Sequence, residues 1–243
     1  MKTTHKITYG NQTIHYTINP DPKRHARIAI HVEPDGSVIV DAPPEFDLAA
    51  IHTAVQKRAR WVAGHVGEAL TRFAHVRPRE YVSGEQIMYL GRRYVLKVIP
   101  TDQKPQPVRL KGNRLEVETK SGDADDIKGR VRAWYRVKAR DYFAKKISEA
   151  TDRLPWIEEA PAFRLMDMTK QWGSCSTEGQ VILTPHLIKA PRDCIEYVIL
   201  HELAHLKHHD HGAEFWKLID THQPMWKKAK AELDALVEVL TVE

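Results

Sequence analysis

Short polar–apolar runs alternate with turn residues over the first hundred or so positions, the pattern of half-buried strands. Ile7 to Ile18 holds Gly10-Asn11 between two such runs, which predicts a hairpin although the order reverses the favoured Asn-Gly. Ala26 to Val32 and Ser37 to Val40 flank Pro34-Asp35-Gly36, a stronger hairpin signal, and Pro43 and Pro44 end it. The spacing then changes to that of a helix over about Asp47 to Phe73, with an apolar stripe at Leu48, Ile51, Val55, Ala59, Val62, Val66 and Leu70. Gln86 to Leu90 and Tyr94 to Ile99 flank Gly91-Arg92, a third hairpin. Val108 to Leu110 and Leu115 to Val117 flank Lys111-Gly112-Asn113, a fourth.

Beyond residue 119 the pattern becomes mainly helical. Thr119 to Asp126 is polar and acidic and reads as a boundary. A long helix is predicted over about Asp125 to Ala150, burying Ile127, Val131, Trp134, Tyr135 and Tyr142. Phe163 to Met168 and Gln180 to Leu183 are short strand candidates, the second reached through Gly179. A helix starts near Pro191 and runs past residue 200, followed by a short one over Ala213 to Thr221. A last helix opens at Pro224, with Trp226, Leu233, Val237 and Leu240 on its apolar side. No sequence repeat is visible. The fold class is therefore α+β: a strand-rich module over residues 1–122 with one helix, then a helical, short-stranded metal-binding module over residues 123–243.

The helix after Pro191 carries the chemistry. Residues 201–211 read His-Glu-Leu-Ala-His-Leu-Lys-His-His-Asp-His. His201 and His205, four apart, lie on one helix face, and Glu202 sits beside them, placed to take a proton from a metal-bound water. Cys194, Ile195, Val198, Ile199 and Leu200 make the body of this helix apolar, so it is expected to be buried. Buried imidazoles and a carboxyl need a partner, and zinc supplies one. The third ligand is read among His208, His209 and His211. His211 is preferred, because the following Gly212 lets the chain turn back and an uninterrupted helix cannot converge three ligands on one tetrahedral ion. His208 is then a turn or rim residue, and His209 faces solvent. Three protein ligands plus a water make a catalytic zinc site rather than a structural one.

A second conspicuous stretch is Met168 to Ser176, which contains Gln171-Trp172-Gly173-Ser174-Cys175. Gly173 suggests a close backbone approach. Cys175 has the chemistry of a ligand or nucleophile, but three histidines already satisfy a catalytic zinc, so it is read as a partly buried packing cysteine. Trp172 either lines a substrate cleft or fills core beneath the metal helix.

Composition narrows the setting. A chain of 243 residues with 42% hydrophobic and 28% charged residues can bury a good core. Met1 to Gly10 is polar and no window is long and apolar enough for a membrane span, so neither a leader nor a membrane partner is expected. Two cysteines make no disulfide framework, which points to a reducing cytoplasm. The net charge of +5 is modest, but Lys128, Arg130, Arg132, Arg136, Lys138 and Arg140 crowd one helix. Of these, Lys128, Arg132 and Arg136 form a candidate phosphate or nucleic-acid patch. A solvated helix face is the preferred reading.

The order of Thr169-Lys170-Gln171-Trp172-Gly173-Ser174-Cys175-Ser176, Ile182-Leu183-Thr184-Pro185, Ile195-Glu196-Tyr197-Val198-Ile199, His201 to His205, His211 and Phe215-Trp216 resembles the YgjP-like family of zinc-dependent metallopeptidases. The likeness covers almost the whole chain. It implies a zincin-like second module with a short sheet, Zn2+ held by His201, His205 and His211, and Glu202 as the catalytic residue. It also implies that Trp172, Gly173, Ser174 and Cys175 belong to the edge-strand region facing the substrate cleft. Asp210-His211-Gly212 stands where the family often reads Asn-His-Ser, which keeps the ligand and changes its neighbours. The expected activity is hydrolysis of protein or peptide substrates by Glu-assisted attack of a zinc-bound water, with an extended substrate pairing along Gln180 to Leu183 if that edge is open. Two alternatives stand beside it. Some family members are labelled nucleoside-triphosphate pyrophosphatases, but the repeated carboxylates of a magnesium diphosphate site are missing here. A DNA-associated protease or adaptor would use the basic patches, which permit nucleic-acid binding without requiring it.

Overall fold

The computed structural model describes residues 4–20, 28–32, 36–74, 78–168, 171–176 and 178–242. The chain divides into two compact units, Met1–Arg77 and Pro78–Glu243. The architecture is α+β, and among the described residues no helix is long and apolar enough to cross a membrane.

In the first unit, strands β1 (Thr4–Tyr9), β2 (Gln12–Pro20), β3 (Ala29–Val32) and β4 (Val38–Ala42) form a sheet in the order β1-β2-β4-β3. The outer pairs are antiparallel and the central β2–β4 pair is parallel. The first predicted hairpin forms, with Gly10 at φ +58°. Pro34 and Asp35 of the second turn, and Ala26 of the strand before it, lie outside the described residues. Ile7, Ile14, Tyr16, Val38 and Val40 of the sheet pack with Ile51, Val55, Ala59 and Val62 of the helical segment.

The single helix predicted over Asp47 to Phe73 is two, α1 (Leu48–Lys57) and α2 (Ala59–Ala74), broken at Arg58 with φ −108° and ψ 9°. Asp47 caps α1, its carboxylate accepting the Ala50 N–H at 2.6 Å. The apolar stripe continues through the break without a Pro or Gly to mark it, and its two ends, Leu48 and Leu70, are exposed.

The second unit starts with a sheet of the same topology. Strands β5 (Gln86–Tyr89), β6 (Arg92–Pro100), β7 (Arg109–Lys111) and β8 (Arg114–Thr119) lie in the order β5-β6-β8-β7, again with a parallel central pair. The chain thus repeats one sheet design that its sequence does not show as a repeat. This second sheet shares a core with the long helix α3 (Ala124–Thr151): Ile87, Leu96, Leu115 and Val117 pack with Ile127, Val131, Trp134 and Tyr135. Tyr135 donates its hydroxyl to the Met88 carbonyl at 2.6 Å.

The boundary read near residue 122 therefore falls inside the second unit. The polar stretch there is a built turn rather than a linker. Thr119 is fully buried, donates to Asp126 at 2.6 Å and accepts the Gly122 N–H at 3.1 Å, bringing the end of β8 to the first turn of α3.

Three short strands follow, β9 (Phe163–Leu165), β10 (Gly173–Cys175) and β11 (Val181–Leu183), in the order β10-β11-β9. β10 is antiparallel and β9 parallel to β11. A 3-10 turn over Pro185–Lys189 leads into α4 (Arg192–Ala204), and α5 (Ala213–His222) and α6 (Trp226–Thr241) complete the unit.

The β5–β6 hairpin tip anchors the start of α4. Leu90 and Gly91 donate their N–H groups to the Ile188 and Lys189 carbonyls at 3.0 and 3.1 Å. Gly91 has φ +74°, and a Cβ there would lie 2.8 Å from Cα of Pro191, the N-cap of α4. The second sheet thus positions the metal helix directly.

Candidate metal centre and active site

α4 is buried on almost every side, through Cys194, Ile195, Tyr197, Val198, Ile199, Leu200, Leu203 and Ala204. Its far end is clamped to α6, the Cys194 thiol reaching the Ala229 carbonyl at 3.3 Å. At the near end His201 and His205 come to one side, and the chain leaves the helix at His205. The Leu206, Lys207 and His208 N–H groups bond back to the carbonyls of Leu203, Ala204 and Ala204. This tight exit, opened by His205 in right-handed backbone, swings residues 209–212 back over the histidines.

His201, His205 and His211 bring one ring nitrogen each to within 4.8 Å of one another, and among the described residues they are the sole such group. The Nε2 atoms of His201 and His211 stand 3.0 Å apart. Metal–nitrogen bonds of about 2.0–2.1 Å at tetrahedral angles would separate two ligands by roughly 3.3 Å. His205 turns its Nδ1 to the His208 carbonyl at 3.0 Å, which leaves its Nε2 available to a metal. His201 Nδ1 is buried with no hydrogen-bond partner among the described residues, and its ring packs against Phe215 at 5.0 Å and Tyr197 at 5.9 Å. An all-imidazole donor set fits zinc and its neighbours among the transition metals, and not magnesium or calcium. The residues present therefore fit a single divalent transition metal.

The turn to His211 differs from the expectation in one respect. Gly212 has φ −69° and ψ −176°, extended backbone open to any residue, and it serves as N-cap of α5. What helps hold the His211 loop is Asp210, whose carboxylate accepts the Gly212 N–H at 3.2 Å, together with a stack of rings. The His211 ring lies 5.7 Å from Trp216, Trp216 stacks on Trp226 at 4.5 Å, and Trp226 stacks on Tyr197 at 5.9 Å. Trp226 is locked in turn by donating Nε1 to Asp220 at 2.5 Å. The sequence puts Trp226 on the apolar side of its helix, and both Trp226 and Tyr197 are buried. Their service as backing for the exposed His211 ring is set by the tertiary structure. His208 contributes only its carbonyl to His205, and His209 is exposed.

Glu202 is 5% exposed, and burial alone pushes its carboxyl up to about 8. Burial first, then the neighbouring His205 and His211 rings, push the His201 imidazole down to about 3. Burial also lowers His211.

These shifts predict a pH signature for the chelated, metal-free protein. The folded-state pKa of Glu202 is raised, so its contribution is intact below about 4.5 and is lost as pH rises towards about 8. Glu202→Gln removes that loss and leaves the histidines unchanged. The stability advantage of Glu202→Gln over the parent, measured by denaturant midpoints in chelator, is expected to grow between pH 5 and pH 8. An advantage independent of pH would show that Glu202 is not a buried acid.

Trp172, Gly173, Ser174 and Cys175 come to the metal helix through β10. Gly173 lies against the Glu202 side chain, and Cys175, two residues on, faces the same way. Cys175 is half-buried, packs against the core and is outside the three-histidine group; burial, then the Glu202 charge, raises its thiol pKa. The packing reading of this cysteine holds. Trp172 is partly buried against the same core, and its carbonyl accepts the Thr184 N–H at 3.0 Å. Gln180 to Leu183 does not supply the expected open edge: β11 is the central strand of its sheet, bonded on both sides. β10 is the outer strand beside the metal helix.

The basic helix does not assemble a patch of three uncommitted cations. Arg136 pairs with Asp167 at 3.1 Å and donates to the Leu165 carbonyl, and Lys128 lies 5.8 Å from the Tyr81 ring centroid. Arg130 pairs with Asp126 at 3.0 Å, and Arg132 is exposed.

Comparison with known proteins supplies the class. The chain matches the sequence model of a metallopeptidase domain over residues 26–236. It belongs to the YgjP-like family. Two solved structures are similar over part of the chain. The metallopeptidase zymogen abylysin of Pyrococcus abyssi is 22% identical over 40% of this chain and 93% of that one, with a TM-score of 0.35. The metallopeptidase zymogen jannalysin of Methanocaldococcus jannaschii is 20% identical over 37% of this chain and 91% of that one, with a TM-score of 0.33. No curated protein matches the chain.

Proposed function

We propose that this metallopeptidase is a zinc enzyme in which His201, His205 and His211 hold the ion and Glu202 is the general base. The observation that carries this reading is the convergence of three imidazole nitrogens within 4.8 Å of one another beside a buried carboxyl. When bound, zinc supplies a Lewis acid that makes a water more acidic and polarises the scissile carbonyl. With the ion held by the three histidines, Glu202 would be the group that accepts a proton from the attacking water and donates it to the leaving amine. Among the described residues burial is the sole influence on this carboxyl, with no hydrogen-bond donor competing for it, so its basicity is kept for that proton. Burial raises the Glu202 pKa, and a cation held beside it would act in the opposite direction, favouring the carboxylate that a base requires. The outer strand β10 offers backbone groups to an extended peptide beside this carboxyl. Protein or peptide is accordingly the substrate class.

The test is direct. Zinc-loaded protein is incubated with unfolded casein and, separately, with nucleoside triphosphates. Cleavage of casein to new peptide termini, read by mass spectrometry, is expected, with no release of pyrophosphate. Pyrophosphate release without proteolysis would overturn the peptidase reading.

A further inference from the structure

Gly173 has an ordinary extended backbone, since its φ is not among the positive values of the chain, so nothing in its own conformation demands glycine. The demand comes from across the cleft. A Cβ built on Gly173 would stand 2.8 Å from both Cγ and Oε1 of Glu202 and 3.0 Å from its Cδ. These distances are well inside carbon–carbon contact, which is near 3.5–4.0 Å. The end of a flexible side chain can step aside from such a contact at the surface. Glu202 is 5% exposed and is enclosed by the packing of α4. On the other side, β10 is held to β11 through Gly173↔Leu183, and Trp172 is bonded to Thr184. Neither partner moves without shifting an element.

We infer that Gly173 is a positioning residue for Glu202: the missing side chain is the space in which the carboxyl is held. This rests on Glu202 being the base, and it explains a feature that the metal ligands do not, namely why the outer strand beside the metal helix carries a glycine at an unstrained position. Any side chain at 173 pushes the carboxyl along or out of the cleft. The histidines lie on other atoms of α4 and on the loop before α5, so the metal stays.

The test is a double-mutant cycle on the full chain. Gly173→Ala in the parent is expected to keep one zinc per chain and KM within about threefold. It is expected to lose kcat by on the order of a hundredfold, the cost of displacing a reacting group by about an ångström. It is also expected to lower the metal-free denaturation midpoint by roughly 3–10 °C through overpacking. In the Glu202→Ala background the same change meets no carboxyl, and the midpoint should then stay within about 2 °C of that background. If Gly173→Ala fails to fold in the parent but folds with Glu202→Ala, the rescue supports the contact. Equal losses of midpoint in the two backgrounds would overturn the proposal, as would a kcat within about twofold of the parent. If the parent cleaves no peptide at all, the midpoint cycle still decides the contact, and the failure is then that of the peptidase reading.

Discussion

Glu202→Gln is expected to abolish hydrolysis while leaving zinc in place. Glutamine keeps the shape of the side chain and fits the same space beside Gly173, so the metal helix and its histidines are undisturbed. What it removes is the ability to accept a proton. Positioned acid–base groups contribute about 10²–10⁴-fold to such reactions, and kcat on a peptide substrate should fall by that order with zinc content unchanged. Metal analysis and turnover measured on the same preparation make the comparison clean. Activity within about twofold of the parent, at equal zinc, would mean that another group is the base.

The second large effect concerns the ligands. His201→Ala or His205→Ala is expected to weaken zinc binding by more than about a hundredfold. Changes outside the ligand set of metal sites already cost about 10–100-fold, and these two remove a donor fixed on a buried helix. His211→Ala should do the same by another route, because the exposed loop carrying His211 is held by Asp210 and the Trp216 ring rather than by burial. Competition with a chromophoric chelator measures the affinity. Thermal denaturation gives an independent readout: zinc at a thousandfold excess over the parent's dissociation constant should stabilise the parent by about 4 kcal/mol, and at the same concentration the variants by no more than about 1.4 kcal/mol. Undiminished zinc binding in either α4 variant, or binding that requires Cys175, would overturn the ligand set.

Most of the elements were legible in the amino-acid order. The hairpins rest on turn residues and period-two runs, and α3, α4, α5 and α6 on apolar stripes and proline starts. These are local properties, set by backbone sterics and by which side chains a helix or strand brings to one face. The break at Arg58 was not legible, because the stripe from Ile51 to Val62 keeps its spacing through it. The polar turn at 119–126 resembled a linker because its hydrogen bonds, from Thr119 to Asp126 and from Gly122 to Thr119, join groups whose pairing no composition reveals. Strand order was likewise invisible. Gln180 to Leu183 has the look of a strand, but whether it is an edge depends on β9 and β10 closing on it.

For the site the division is sharper. The sequence by itself determined the chemistry: two imidazoles four apart on a helix, a carboxyl beside them and a third histidine within reach, since helix geometry alone puts His201 and His205 together. Only the tertiary structure decided how those groups are held. The helix ends in a tight turn that lends the His208 carbonyl to His205, the rings of Trp216, Trp226 and Tyr197 back His211, and Gly173 of a separate strand makes room for Glu202. The physical reason is range. Ligand spacing along one helix is a matter of a single turn, whereas orientation, burial and proton affinity depend on groups in other elements and on the course of the chain after the helix, which only packing decides.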